Sequence, residues 1–316
     1  MAVPSDTLQT YQGLNSNRED LVDAIYRVAQ TRVPFTARIP KVSAEATLHE
    51  WQIESLADAA SDNQQVEGDD AANDAALVTT RATNYCEISR KVAQVSGTQE
   101  RVNKAGKGSE MSHQMAAKMV ELTRDIEKSA LANKAKSAGT ASTARITAGL
   151  ESWVATNASE GATATSATGD GSDARVAGTP RAFTEDLLKG VLADVADAGG
   201  DPNLILVGSF NKQAMSAFSG NGITRNVEAN RNTLDTAIDI YVSDFGTLEV
   251  VYSPFSNAAS ALVLDTDMWA MAMLRGFETS DLAKTGDSMR KQIITEWALE
   301  ARNENGNGAV YDLTVA

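Results

Sequence analysis

Two histidines, one cysteine and a few carboxylate pairs are the residues of this chain whose chemistry could reach beyond packing. His49 and His113 could each ligate a metal, but neither has a second ligand at metal spacing, and metal sites need clustered ligands. Cys86 is the single cysteine, which excludes an intramolecular disulfide framework and a Cys-based zinc site. Alternation in Asn84-Tyr85-Cys86-Glu87-Ile88 predicts a strand, with Cys86 as a small packed side chain. Ala105-Gly106-Lys107-Gly108-Ser109 has the look of a phosphate loop, yet such a loop needs Gly at position 101 and Ser or Thr at 108, where this chain has Arg101 and Gly108. Asp170-Gly171-Ser172-Asp173 hints at a calcium loop, but its glycine is misplaced and the twelfth position is Arg181 instead of Glu. There is no Gly-x-Ser-x-Gly elbow and no Gly-x-Gly-x-x-Gly. Asp69-Asp70 and Glu19-Asp20 read as a solvated loop tip and a helix start. With no member of a catalytic constellation in place, the chain reads as non-enzymatic, with no catalytic, cofactor-binding or metal residue to assign.

Bulk properties agree. The chain has 316 residues, enough for two domains or for one large domain with extensions. Its net charge of -14 argues against a general nucleic-acid binder, which would rely on Lys and Arg to neutralise phosphates. Aromatics make up only 5% of residues, so burial must rest on few large side chains. The N-terminus carries no basic region followed by an apolar run, and no segment approaches the ~18 apolar residues of a membrane helix. Synthesis in a reducing cytosol is expected.

Residues 1 to 16 read as a mobile polar arm. Asn17 then caps a short helix with Leu21, Ala24, Ile25 and Val28 on one face, ended by Pro34. From Phe35 to about Lys104 the pattern is extended. Two strand-like arms flank Asp58 to Ala76, a tip that is rich in Asp, Asn, Gln and Ala and cannot find a core within its own subunit. A two-stranded hairpin alone is marginal in water and must lie on something else. No lysine occurs between Lys41 and Lys91.

Ser109 opens the clearest helix, expected over residues 109–135 and about 40 Å long. Met111, Met115, Met119, Leu122 and Ile126 form one apolar stripe, with Lys118, Glu121, Arg124 and Glu127 on the other face. A second short helix is predicted over 143–156, then a surface loop or flexible insertion from Ala158 to Thr179. A helix follows from Phe183 to Val195, then a buried strand Leu204-Ile205-Leu206-Val207 and a helix from Ser209 to Phe218. Strands are expected at 238–242, 247–252, 261–264 and 269–274, and a final pair at 292–301 and 309–313 joined by the turn-rich 303–308. A helical first half and a β-rich second half predict α+β.

Five blocks in register carry a family resemblance over nearly the whole chain, except Ala158 to Thr179. They are Asn17-Arg18-Glu19-Asp20-Leu21, His49-Glu50-Trp51-Gln52, Thr83-Asn84-Tyr85-Cys86 through Val95-Ser96-Gly97-Thr98, Leu282-Ala283-Lys284-Thr285-Gly286-Asp287-Ser288, and Glu296 to Asn303. Together they resemble the major capsid (head) proteins of tailed bacteriophages, in the group similar to the coliphage SU-ten capsid protein. The resemblance implies the Hong Kong ninety-seven capsid fold. On that mapping residues 1–35 are an N-terminal arm and 36–104 an extended β-hairpin loop. Residues 105–179 are a peripheral domain with its spine helix at 109–135, 180–255 an axial domain, and 256–316 the return to the peripheral domain.

It further implies a virion protein, made in the host bacterial cytoplasm, that self-assembles into pentamers and hexamers of an icosahedral shell around double-stranded DNA. DNA would be contacted non-specifically on the inner face, and no membrane would be involved. Two departures matter. Some members weld subunits through an isopeptide bond from a loop lysine, and this loop tip has none. Others carry a long N-terminal scaffolding segment, so a separate scaffolding protein is expected here, together with a portal and, in some shells, cement proteins. The rival reading is another self-assembling subunit, of a filament or surface layer.

Overall fold

A computed structural model of the chain describes residues 28–57, 59–68, 70, 73–218 and 239–315. The polar arm 1–16 and the helix expected from Asn17, up to residue 27, lie outside the described residues. Along the chain run β1 (Lys41–Ser43), β2 (Leu48–Ile53), β3 (Thr80–Tyr85), β4 (Glu87–Ser96), α1 (Gly97–Arg101) and α2 (Glu110–Ala130). There follow β5 (Ala158–Ser159), α3 (Glu185–Asp197), β6 (Leu204–Val207), α4 (Ser209–Ser216), β7 (Ile240–Ser243) and β8 (Gly246–Tyr252). The chain closes with β9 (Ala261–Leu264), β10 (Trp269–Asp281), β11 (Ser288–Ala301) and β12 (Gly308–Val310). The architecture is α+β, as expected.

Three sheets organise these elements: a four-stranded one in the order β1-β10-β11-β4, a six-stranded one in the order β5-β12-β9-β6-β8-β7, and the isolated pair β2-β3. Helix α2 covers one face of the four-stranded sheet. Its stripe does what the spacing predicts: Met111, Leu122 and Ile126 are buried, Met115 packs against them, and only Met119 is left exposed. The N-terminus is doubly capped. Ser109 Oγ accepts from Ser112 N at 3.2 Å, and Glu100 Oε2 accepts from Glu110 N and Met111 N at 3.0 and 3.2 Å.

In the six-stranded sheet, β6 and β9 are buried on both faces, which is why they are continuous apolar runs. Ile205, Val207, Ala261 and Val263 face Leu188, Val191, Leu192 and Val195 of α3. Leu204, Leu206, Leu262 and Leu264 face the opposite way, toward a core that contains Trp153, Trp269, Trp297 and Tyr311.

Several expectations need correction. Helix α2 stops at Ala130 instead of running to 135, and its 21 residues span about 32 Å. Beyond it Gly149 passes so close to the Ala132 carbonyl that an added Cβ would lie 1.9 Å away. The chain therefore turns off into the Ser137–Ile146 bridge. The helix predicted over 143–156 is absent apart from one 3-10 turn at Leu150–Ser152. Its backbone groups are claimed by distant partners: Thr147 N by Glu87 Oε2, Ala148 N by Asn84 Oδ1, Gly149 N by Lys134 O.

The final two strands are not partners. β11 lies between β10 and β4, whereas β12 crosses to the other sheet and pairs with β5 and β9. That sheet thus draws on segments on both sides of 180–255. Likewise β4 leaves the extended segment and joins β11, so that only β2 and β3 form the free hairpin.

The segment Ala158 to Thr179 is not a loose insertion. Arg175, 5% exposed, stands 3.1 Å from Asp312 Oδ1 and 3.5 Å from Glu151 Oε2, with its guanidinium 4.1 Å above the Tyr311 ring. A Thr165–Val176 bridge closes the loop on itself.

Candidate assembly surface

The residues singled out for chemistry are dispersed along the chain, and most of those described are engaged locally. His49 lies on β2 with Nε2 2.8 Å from Glu300 Oε2, and His113 sits on α2. Cys86 is fully buried between β3 and β4, and burial raises its thiol pKa, so it is an inert packed side chain as expected. In the loop that resembled a phosphate site, the helix N-terminus an anion would need is taken by Glu100, and Lys107 pairs with Glu110 at 2.5 Å. The Ser109 hydroxyl holds the Glu100 carboxyl below the ordinary glutamate value. Asp170 Oδ1 and Asp173 Oδ1 accept from Thr168 and Ser172 within their own turn. Among the described residues no cluster of three His, Cys, Asp or Glu could hold a metal, and no helix is long and apolar enough to cross a membrane.

What the structure does present is a protruding hairpin on a firmly built base. β2 and β3 pair antiparallel from Leu48–Tyr85 to Ile53–Thr80, and the segment between them stands off the body without strand or helix. From residue 42 to residue 80 there is no Lys or Arg, whereas Glu54, Asp58, Asp62, Glu67, Asp69, Asp70 and Asp74 make the outer part strongly acidic. Leu56, Val66 and Val78 are exposed by 84%, 75% and 79%.

The base is held by side chains that the sequence reading missed. Trp51 Nε1 donates to Ala301 O at 2.7 Å, and its ring lies 5.5 Å from that of Trp153. Asn84, fully buried, donates to Leu299 O at 2.7 Å and accepts from Tyr85 N and Ala148 N, both at 2.9 Å. Lys136 Nζ donates to Thr83 O at 2.9 Å and lies 5.6 Å from the centre of the Trp153 ring. Burial works to raise the Glu300 pKa, but hydrogen bonds from His49 and Arg302 outweigh it and hold the group below its ordinary value. Leu299, Glu300 and Ala301, the last residues of β11, are therefore the hairpin's mooring. An asparagine inside a strand was the available signal, since that residue type is depleted there unless its amide has partners.

A second anchor fixes the start of the described chain. Glu127 on α2 accepts from Phe35 N, Thr36 N and Thr36 Oγ1 at 2.9, 2.8 and 2.6 Å. The carboxylate is fully buried, and its desolvation raises the pKa despite these bonds. Phe35 in turn packs edge-on to Trp269, with ring centres 6.0 Å apart.

A cleft of about 260 Å³ on the six-stranded sheet is lined by the Lys189–Glu185 pair with Leu192, Tyr241 and Phe245. Those residues give it no nucleophile paired with a base.

Comparison with known proteins places these features. The profile of a family described as SU10 major capsid protein matches residues 6–314. The major capsid protein of Escherichia phage Phieco32 is 34% identical over 103 residues, which are 33% of this chain and 29% of that relative. The chain thus aligns with less than one third of that relative's length. Among solved structures, the capsid asymmetric unit of cyanophage A-1(L) superposes with a TM-score of 0.72 at 13% identity, covering 97% of this chain and 100% of that one. A chain from Gordonia phage Cozz gives 0.63 at 10% identity, covering 100% and 99%. At such identities the likeness is one of fold, and the fold is that of the phage capsid chains, in line with the Hong Kong ninety-seven expectation.

Proposed function

Because this chain belongs to the SU10 major capsid protein family, we propose that copies of it assemble through their hairpins and axial domains into pentamers and hexamers that close as an icosahedral shell around phage DNA. As a major capsid protein of a bacteriophage it is a structural component of the virion and not an enzyme. The observation that carries the assembly reading is the hairpin. It has a rigid base, an acidic and apolar outer part, and no cover from its own chain among the described residues. Its exposure is reasonable only if another subunit removes that apolar surface from water. Interfaces of this kind bury ~1,600 Å² or more, so stability would be inseparable from assembly.

The domain assignment belongs to the same proposal. Residues 1–35 are the arm, and the segment 36–104 contributes the extended hairpin. Residues 105–179, with α2 as the spine helix, and 256–316 are the peripheral domain, and 180–255 is the axial domain at the capsomer centre. A separate scaffolding protein, a portal and double-stranded DNA met on the inner face complete the set of partners, with synthesis in the host cytoplasm. Electron microscopy of the protein co-expressed with its scaffolding partner tests this: closed shells of uniform diameter are expected, and a well-behaved monomer that never assembles would refute it. A filament or surface-layer subunit has no specific support in the fold.

A further inference from the structure

We infer that the amphipathic segment 17–28 docks on the bare end of the six-stranded sheet of its own chain, with Leu21, Ala24, Ile25 and Val28 laid against Ile240 and Val242. The contact is made within one chain, so it stands or falls separately from the assembly reading above.

The register of β7 with β8 sorts this end of the sheet onto two faces. Tyr241 opposite Leu248 points into the core that α3 shares. Ile240 opposite Glu249 and Val242 opposite Thr247 point the other way. On that second face the core around Leu204, Leu206, Leu262 and Leu264 reaches β8 at Val251, which is only partly buried, and stops there. Beyond it Ile240 is 61% exposed and Val242 73%, and neither joins an apolar cluster among the described residues.

The start of the described chain is pinned beside this bare strand. Arg38 Nη2 pairs at 2.6 Å with Glu249 Oε1, on the residue opposite Ile240, and Arg38 Nη1 donates to Pro34 O at 3.0 Å. Glu127 holds Phe35 and Thr36, and Phe35 packs in the same core as Leu204 and Leu206. Val28, the last residue of the stripe, is fully exposed. Residues 29–34, between it and Phe35, span up to ~20 Å at ~3.3 Å each. Because β7 lies one strand, ~4.8 Å, beyond β8, the reach suffices.

The two surfaces also match in character. A twelve-residue amphipathic helix is marginal in water by itself and needs a surface for its stripe. A helix laid on an open sheet face is one of the few stable ways to bury both. On the helix, Glu19, Asp23 and Tyr26 fall opposite the stripe and stay in water. On the sheet, Glu249 is already paired with Arg38, Asp239 is paired with Lys212 of α4 at 3.2 Å, and Asp244 lies in the turn between β7 and β8. Docking therefore buries no unmatched charge of the face. The short covalent tether raises the local concentration of the segment at this site above that of any second copy in dilute solution.

Two measurements on the full-length protein in dilute solution test the inference. Trypsin should cut after Arg27 about tenfold faster in Ile240→Asp with Val242→Asp than in the wild type, because the docked segment resists cleavage. Both substituted positions are exposed, so the body is expected to keep its melting temperature. Equal cleavage rates would overturn the docking. In the second measurement Ile25→Cys is combined with Val242→Cys and oxidised, the native Cys86 being fully buried. A bond between positions 25 and 242 in a species that runs as monomer is expected, read by mass spectrometry of the non-reduced digest. Asp23→Cys with Val242→Cys, which places the thiol on the opposite side of the helix, should form its bond about tenfold more slowly. Disulfide-linked multimers would move the stripe to a second copy, and equal rates for the two pairs would mean an undocked tether. Either result, or no bond at all, would overturn the inference and leave the capsid reading untouched.

Discussion

Glu127 Oε2 accepts both the backbone N–H and the hydroxyl of Thr36, while its Oε1 takes the N–H of Phe35. One carboxylate thus ends the arm and ties it to the helix that underlies the four-stranded sheet. Glu127→Ala would leave two buried N–H groups without partners at about 1–3 kcal/mol each. A drop of that size in the urea unfolding free energy is expected. The pH dependence has a definite sign. Burial raises the folded-state pKa above the unfolded value, so the stability this group contributes is full below the unfolded pKa and declines as pH rises through the folded one. The stability difference between the wild type and Glu127→Gln should change across that window, and parallel slopes would contradict the assignment.

Arg175 holds the 158–179 segment to the end of the chain through Glu151 and Asp312. Its removal leaves two buried acids without their cation, and breaking buried pairs in this way costs about 3–5 kcal/mol. Arg175→Ala is therefore expected to lower the melting temperature sharply and to expose the segment to protease. A variant with wild-type melting and wild-type cleavage would show that the loop is held by other means.

The hairpin mooring should be acid-sensitive. Although burial opposes it, His49 and Arg302 hold the Glu300 pKa below its ordinary value. The stabilisation is present above the unfolded pKa and is lost as pH falls through the folded one. Trp51, whose indole bonds Ala301 O, reports on the site by fluorescence. A transition in its emission is expected on acidification below the ordinary carboxylate range, displaced in Glu300→Gln. Trp51→Phe, which loses the indole hydrogen bond, is expected to cost about 1 kcal/mol.

No covalent ladder should form. With no lysine between Lys41 and Lys91, the hairpin has no amine to donate to an isopeptide bond. Mature particles boiled in denaturant should release the major protein as a single monomer band, and covalent multimers would contradict this.

Much of the fold was legible wherever an element carries its own pattern. The stripe of Met111, Leu122 and Ile126 identified α2, and the unbroken run Leu204 to Val207 identified β6, because helical spacing and two-sided burial leave local marks. The same logic failed at residues 143–156. There Ile146, Leu150 and Trp153 are spaced like a helix, while the backbone is bonded to Glu87, Asn84 and Lys134. It failed again at β12, whose partners β5 and β9 are chosen by the packing of two sheets and not by the turn before it. The hairpin was visible through its missing apolar and basic residues. Its anchors were not, because Asn84 to Leu299 and Trp51 to Ala301 are bonds between residues more than 200 positions apart.

The placement of β11 has a mechanical consequence. Its last residues moor the hairpin, and its length is registered against β4 from Ser288–Ser96 to Trp297–Glu87 and against β10 on the other side. Tension drawn through the mooring along β11 loads both ladders at once, in shear, instead of peeling one bond at a time. The central strand would then act as a tendon gripped along both flanks, and the weakest link would be the handful of anchoring bonds at its tip. Subunits pulled apart by force should part there first, with their bodies still folded.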